Sequence, residues 1–217
     1  RKNVPKGSRT LDQVKWIHHD KIGYIFPEPA TVNVSNQAET GRWSDITDQK
    51  NASRDLVSED VFALWFNHGN KPNVASYQYI VVPNVSEQQL NETAATNRSI
   101  EILANTADLQ AVKHGQLGIT QLAFYKAGTL DIGKGIQVGL DSQGMAMLKM
   151  KGSRLTELTL ADPSRKLSRM VLTVTGIYKT KGENYRTVVN EDQNSTLFMV
   201  DLPQGVYLGK SVHLNVD

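Results

Sequence analysis

Short segments in which apolar side chains recur at every second position run through most of this chain, and they constrain its fold more than any other feature. In the segment MVLTVTGI, Met170, Leu172 and Val174 alternate with neighbours of mixed polarity. Because successive strand residues point to opposite faces, this alternation predicts one apolar row on one face of a sheet. The segments Ala75–Val82 and Thr196–Val200 are similarly rich in β-branched and aromatic residues.

Turn-forming residues separate these segments at intervals of about ten residues, as in Asp141–Gly144 and Pro203–Gly205. Many short strands at this spacing favour antiparallel sandwiches over βαβ units, so the predicted fold class is all-β. Near the N-terminus, Lys15–Pro27 predicts a hairpin whose turn is Asp20-Lys21.

One segment departs from the β pattern and predicts a single short helix over residues 86–95. It begins with Ser86 and carries Gln89 three residues later, which is the spacing of a capping box. We expect this helix to connect two strands.

The composition is that of an ordinary globular chain and excludes several functions. The 217 residues suffice for two folded domains, and the net charge of +2 argues against a dedicated nucleic-acid binder. The absence of cysteine excludes a disulfide framework or a thiolate nucleophile. No apolar run reaches about 18 residues, so no membrane span is predicted. The chain begins at Arg1 without an initiator Met or signal peptide, and we expect a processed product or an excised piece.

A shift in charge predicts a domain boundary. Residues 1–112 carry 11 basic and 13 acidic side chains, a balance of −2. Residues 113–217 carry 13 basic and 9 acidic side chains, a balance of +4. We therefore expect one β-domain over 1–112 and a second over 113–217.

The histidines and tryptophans offer few candidates for chemistry. His18 and His19 are adjacent on a predicted strand and point to opposite faces, so we expect a structural role and no metal site. Trp65 lies in the apolar segment VFALWF and is expected in the core. Trp43 follows Gly41 in a polar loop and is the better candidate for a platform that stacks on a sugar ring.

The densest basic positions are candidates for contact with an anionic polymer through charge-assisted hydrogen bonds. We select Lys149, Lys151 and Arg154 from the segment KMKGSR as candidate substrate-binding residues. The alternative is a solvated strand edge, on which lysines discourage pairing with other chains.

Six motifs, in this order, resemble polysaccharide lyase family 8, which contains the chondroitin AC, hyaluronate and xanthan lyases. They are Trp16–Pro27 (WIHHDKIGYIFP), Thr40–Ile46 (TGRWSDI), Val61–Gly69 (VFALWFNHG), Pro72–Pro83 (PNVASYQYIVVP), Ile102–His114 (ILANTADLQAVKH) and Leu160–Lys166 (LADPSRK). The resemblance implies the late part of a central antiparallel β-sandwich over 1–112, followed by a smaller C-terminal β-sandwich domain. The parent would also carry an N-terminal α/α toroid, which is missing from this chain.

The resemblance also implies a function. Such enzymes cleave uronate-containing polysaccharides, such as chondroitin sulfate or hyaluronan, by β-elimination, using an Asn, a His, a Tyr and an Arg of the toroid. No catalytic residue maps onto this chain, so we expect it to be inactive alone and to support the cleft or contact the polymer. The alternative is a non-catalytic carbohydrate-binding module.

The resemblance further implies a bacterial periplasmic or extracellular protein. Some relatives hold calcium, but we expect no cofactor here, because no acidic cluster has suitable spacing.

Overall fold

The computed structural model of the protein describes residues 4–96 and 99–216, and most of these residues form antiparallel β-strands. The chain divides between residues 97 and 98 into two compact units. The first unit contains β1 (Gly7–His19), β2 (Ile22–Gly41), β3 (Val57–Trp65), β4 (Ile80–Val82) and the helix α1 (Glu87–Thr96). The second unit contains β5 (Ile100–Asn105), β6 (Leu109–His114), β7 (Ile119–Phe124), β8 (Gly128–Asp131), β9 (Gln137–Leu140), β10 (Gly144–Lys151), β11 (Arg154–Ala161), β12 (Arg169–Thr175), β13 (Lys181–Gly182), β14 (Tyr185–Asn190), β15 (Ser195–Asp201) and β16 (Val212–Asn215).

The first unit is organised by β2, which pairs antiparallel with β1, β3 and β4. The predicted hairpin between β1 and β2 is confirmed. Its two turn residues have positive φ, 44° at Asp20 and 62° at Lys21, as a tight two-residue hairpin turn requires.

The predicted helix is confirmed as α1, and so is its capping box. The backbone N–H of Gln89 donates to Ser86 Oγ at 3.2 Å, and the backbone N–H of Ser86 donates to Gln89 Oε1 at 3.0 Å. The helix is anchored by Leu90, which is fully buried in a small cluster with Ile25 and Val85. A Cβ at Gly23 would collide with the Leu90 side chain, so glycine allows the helix its close approach to β2.

The second unit consists of two six-stranded antiparallel sheets that contribute to one core. Their orders are β16-β11-β10-β7-β6-β5 and β13-β14-β15-β12-β9-β8. The alternation predicted for β12 is confirmed, because Met170, Leu172 and Val174 are all fully buried. Burial of each such side chain stabilises the fold by about 1.5–3 kcal/mol.

Two expectations differ from the structure. The strand predicted over Ala75–Val82 is wrong for residues 75–79, since only Ile80–Val82 pairs, with residues 23–25 of β2. Continuing that ladder would bring the chain opposite Pro27, which has no N–H to donate. The residue expected at the domain boundary, Val112, lies inside β6, whose pairing with β5 and β7 makes it part of the second unit's sheet.

Candidate functional site

Trp43, the sugar platform predicted from the sequence, lies in a short 3₁₀ turn (Trp43–Asp45) just after β2. The residue is 59 % exposed. No aromatic partner is found for it among the described residues. Trp43 is therefore available as a lone platform, but not as part of a built site.

The three basic candidates lie together on the hairpin of β10 and β11 in the second unit. Lys149 faces Glu157 across the two strands, and its Nζ donates to Glu157 Oε1 at 2.6 Å. This hydrogen bond lowers the pKa of Glu157 below its ordinary value, outweighing the opposing effect of burial. An anionic ligand at Lys149 would therefore compete with the Glu157 carboxylate.

Lys151 and Arg154 are placed directly opposite each other at the end of the same hairpin. Like charges in this position repel each other, and an anion between them would relieve the repulsion. The guanidinium carbon of Arg154 lies 5.9 Å from the centre of the Tyr178 ring, a cation–π distance that orients the side chain. Both residues are exposed.

The two adjacent histidines make separate structural contacts. His18 is buried, and its Nε2 lies 2.8 Å from the carbonyl oxygen of Val85. His19 stacks on Phe62 with ring centres 4.3 Å apart. Within residues 4–96 and 99–216, no group of three or more His, Asp or Glu side chains is arranged to hold a metal ion.

A further site in the first unit, the aromatic groove, was not predicted from the sequence. It is an open cavity of about 350 Å³. It is lined by Tyr24, Phe62, Leu64, Trp65, Phe66, His68, Tyr77 and Tyr79. Tyr24, Phe62, Leu64 and Phe66 are partly buried against the core that contains Val32, whereas the other four residues are exposed.

Near-parallel rings give the groove a regular geometry. Phe66 and Tyr77 have ring centres 5.3 Å apart with 25° between their planes, and Tyr77 and Tyr79 follow at 6.2 Å and 18°. The ring of His68 lies 6.3 Å from Phe66 at 6°. These separations are typical of stacked aromatic pairs. The series extends from the end of β3 to the start of β4.

Local chain chemistry places His68 at this position. Asn67 Oδ1 accepts a hydrogen bond from the backbone N–H of Gly69 at 3.0 Å, and Gly69 adopts a φ of +76°. Both features of this turn follow from the residue types, because Asn bonds readily to local backbone and Gly tolerates positive φ. The turn directs the chain away from β3 immediately after the aromatic residues.

The groove is lined mainly by aromatic residues, several of which carry polar groups. Its lining includes the hydroxyl groups of three tyrosines, the Trp65 indole N–H and the His68 imidazole, but no Asp, Glu, Lys or Arg among the described lining residues. Burial raises the pKa of the Tyr24 hydroxyl, and the nearby Tyr79 raises it further. The Tyr24 hydroxyl therefore stays protonated and can donate a hydrogen bond throughout the neutral range.

The prediction that Trp65 belongs to the core is wrong, since its side chain is 44 % exposed. Strand alternation explains the error: Phe62 and Leu64 face the core, and Trp65 faces the other way. The signal available in the sequence was the pair of tyrosines in SYQY, which follows the aromatic end of β3 along the chain.

Comparisons with known proteins agree with this two-part architecture. A model described as polysaccharide lyase family 8, super-sandwich domain, matches residues 1–94. A model described as polysaccharide lyase family 8, C-terminal beta-sandwich domain, matches residues 101–170. No helix in the described part of the chain has the length and apolar character needed to cross a membrane.

Individual relatives are longer proteins. Chondroitinase-AC of Pedobacter heparinus is 35 % identical over 204 residues, which cover 92 % of this chain and 26 % of that protein. Hyaluronate lyase of Thermasporomyces composti is 31 % identical over 157 residues, 72 % of this chain and 19 % of that protein. The solved structure of Paenibacillus xanthan lyase superposes with a TM-score of 0.80 at 26 % identity, covering 97 % of this chain and 20 % of that one.

The chain thus spans about a quarter or less of the length of these relatives. The first matched region lies within the first unit, and the second matched region lies within the second unit. The chain belongs to polysaccharide lyase family 8, of which it carries the super-sandwich and C-terminal β-sandwich regions.

Proposed function

We propose that this chain is the C-terminal β-region of a lyase that cleaves a uronate-containing glycosaminoglycan, chondroitin sulfate or hyaluronan, by β-elimination. The observation that carries the proposal is the 35 % identity to a chondroitinase-AC over 92 % of this chain. Similarity to a hyaluronate lyase supports the same class of substrate. The parent would act outside the bacterial cytoplasm, where such polymers are found.

Within that parent, we propose a supporting role for this chain and not a catalytic one. β-Elimination needs a group that neutralises the uronate carboxylate and a base positioned at the C5 proton. Four histidines of the described residues make structural contacts: His18, His19, His114 and His213. His68 lies beside Tyr77, with ring centres 6.1 Å apart, but the described lining of their groove contains no Asn or Arg that could neutralise a carboxylate. The catalytic set is expected in a helical toroid of the parent.

The test is the ultraviolet absorbance of the unsaturated uronate that β-elimination produces. We expect no product when the purified 217-residue chain is incubated with chondroitin sulfate or hyaluronan. We expect product from the same chain when it is expressed with the upstream region of its reading frame. Product from the isolated chain would refute the supporting role, and no product from the extended protein with either polymer would refute the lyase assignment.

A second candidate function is non-catalytic carbohydrate binding, and one specific observation favours it. The aromatic groove presents exposed rings beside hydrogen-bonding groups, which is the combination that sugar recognition requires. This function is compatible with the first, because a lyase region can hold the polymer without reacting with it.

A further inference from the structure

We infer that the aromatic groove is a saccharide-binding site in which a pyranose ring stacks on Tyr77 and Tyr79. The assignment of the sugar to a uronate-containing polysaccharide rests on the proposed function, whereas the stacking chemistry does not depend on it. The groove is set apart from the candidates found in the sequence, since it includes neither Trp43 nor any of the three basic residues.

The exposure of the rings is the first support for this inference. Tyr77 is 59 % exposed and Tyr79 is 44 % exposed, although both lie in a series of rings that also includes the partly buried Phe66. In this chain, these two rings therefore keep apolar area that a ligand could remove from water. The exposed area is therefore available to a ligand.

The groove also has a firm base. Phe62 and Leu64 extend from β3, a strand paired along its whole length with β2, and pack against the core of the first unit. Phe26 contacts Phe66 edge-to-face at 5.9 Å and fixes the ring nearest to Tyr77. Tyr77 stacks on Phe66 with ring centres 5.3 Å apart, and a ring held by such a contact loses less side-chain entropy when a ligand binds than a free ring does.

The size and polarity of the groove match a sugar. Its volume of about 350 Å³ lies at the small end of the range for ligand sites, suitable for a mono- or disaccharide unit. The apolar face of a pyranose suits aromatic rings, and the lining also carries polar groups that can bond to sugar hydroxyls, in Tyr24, Trp65 and His68.

The lack of charge in the groove predicts how binding responds to salt. No Asp, Glu, Lys or Arg belongs to the described lining, so stacking there does not depend on ion pairing. Binding of the same polymer to Lys151 and Arg154 would weaken steeply as salt rises, because exposed charges are screened. Salt dependence therefore separates the groove from the basic hairpin.

The experiment is isothermal titration of the full 217-residue chain with two probes, hyaluronan hexasaccharide and the neutral sugar cellohexaose. We expect binding that changes little between about 0.05 M and about 0.5 M salt. Tyr77→Ala and Tyr79→Ala should each weaken the affinity by about two- to tenfold, the equivalent of one aromatic contact. Tyr77→Phe, which keeps the ring, should retain most of the affinity.

The matched controls are Tyr125→Ala and Tyr207→Ala, each of which removes an exposed aromatic ring that does not line the groove. Both should leave the affinity unchanged. Chemical-shift mapping of the wild-type chain should place the probe at Tyr77, Tyr79 and His68, which keeps the test valid if an alanine variant folds poorly.

Three results would overturn the inference: no binding of either probe, shifts confined to other surfaces, or affinity lost in the control variants alone. Binding of cellohexaose but not of hyaluronan hexasaccharide would support the inference about the groove and would count against the proposed substrate. The lyase assay on the extended protein tests the proposed function separately, so a failure of the inference about the groove can be told apart from a failure of the proposed function.

Discussion

Asp162 provides the sharpest test of how the second unit is held together. It lies in the loop between β11 and β12, only 3 % exposed, and its carboxylate accepts four hydrogen bonds. Oδ1 accepts from the backbone N–H and the hydroxyl of Ser164, at 2.9 and 2.6 Å. Oδ2 accepts from the backbone N–H groups of Lys166 and Leu167, at 2.7 and 2.8 Å. We predict that Asp162→Asn destabilises this loop and the unit that it closes.

The magnitude follows from the number of donors. An asparagine side chain has one acceptor oxygen, so its NH₂ group must face two N–H or O–H donors that the carboxylate satisfied. Each donor left buried without a partner costs about 1–3 kcal/mol, and the remaining bonds lose their assistance from the negative charge. Since the Ser164 hydroxyl can rotate to accept from the new NH₂ group, we expect a loss of about 2–4 kcal/mol in the free energy of unfolding.

The stability of the fold at acid pH should also depend on the Asp162 carboxyl group. Burial tends to raise the pKa of Asp162, but the hydrogen bonds from Ser164, Leu167 and Lys166 outweigh it and lower the pKa below its ordinary value. A carboxyl group with a lowered pKa in the folded state stabilises the fold above its unfolded pKa of about 3.9. That stabilisation is lost as pH falls through the lower, folded value, and Asp162→Asn should remove this part of the acid sensitivity.

The assay is urea unfolding followed by circular dichroism, with hydrogen exchange of the β12 amides as a local readout. Tryptophan fluorescence is unsuitable, because Trp16, Trp43 and Trp65 all belong to the first unit. Asp192→Asn, a change of the same chemistry at an exposed position of the second unit, is the control and should have little effect. Equal stability of Asp162→Asn and wild type would refute the reasoning from hydrogen bonds.

Three further predictions test other contacts. Gly118→Ala should cost more than about 2 kcal/mol, because the residue has a φ of +65° and an added Cβ would overlap the Met150 carbonyl oxygen; an unchanged urea midpoint would contradict this. Leu90→Ala should cost about 2–5 kcal/mol and reduce helical dichroism, since this side chain is fully buried, whereas a loss below about 1 kcal/mol would mean that the helix is not anchored by it. Lys149→Ala should raise the pKa of Glu157 toward its ordinary value, because it removes the hydrogen bond that lowers this pKa. In the wild type, the ionised carboxylate stabilises the fold above its unfolded pKa, and this stabilisation is lost as the pH falls through the lower, folded pKa; the variant should show less of it. Carboxyl NMR titration measures this pKa, and an unchanged value would show that the pair does not form in solution.

The local elements of the fold were predictable because their signals lie within a few residues. The hairpin turn at Asp20-Lys21 and the capping box of Ser86 and Gln89 each require only neighbouring side chains and backbone. The alternation in β12 is also local, since it records burial on one face of one strand. Such features follow directly from backbone geometry and hydrogen bonding.

Features that depend on pairing partners were harder to predict. Residues 75–79 have the composition of a strand, but whether they pair depends on the partner segment, where Pro27 interrupts the donors. The charge shift at residue 112 did not mark the division of the chain, because charges lie on the surface and do not determine which strands share a sheet. The position of β6 is set by its ladders to β5 and β7.

The candidate binding residues were also hard to predict from the sequence alone, for a reason that affects how a polymer would bind. Basic residues are easy to select from a sequence, but Lys149 proves to be engaged by Glu157, and only Lys151 and Arg154 face each other without an intervening carboxylate in the ladder. The aromatic groove instead combines side chains from β2, β3 and the segment before β4, so no contiguous motif could reveal it. If both regions contact a polyanion, they do so by different physics: ion pairing at the hairpin is screened by salt, and stacking in the groove is not. A polymer affinity that falls with salt to a finite plateau would therefore require both sites, and the plateau should disappear in Tyr77→Ala.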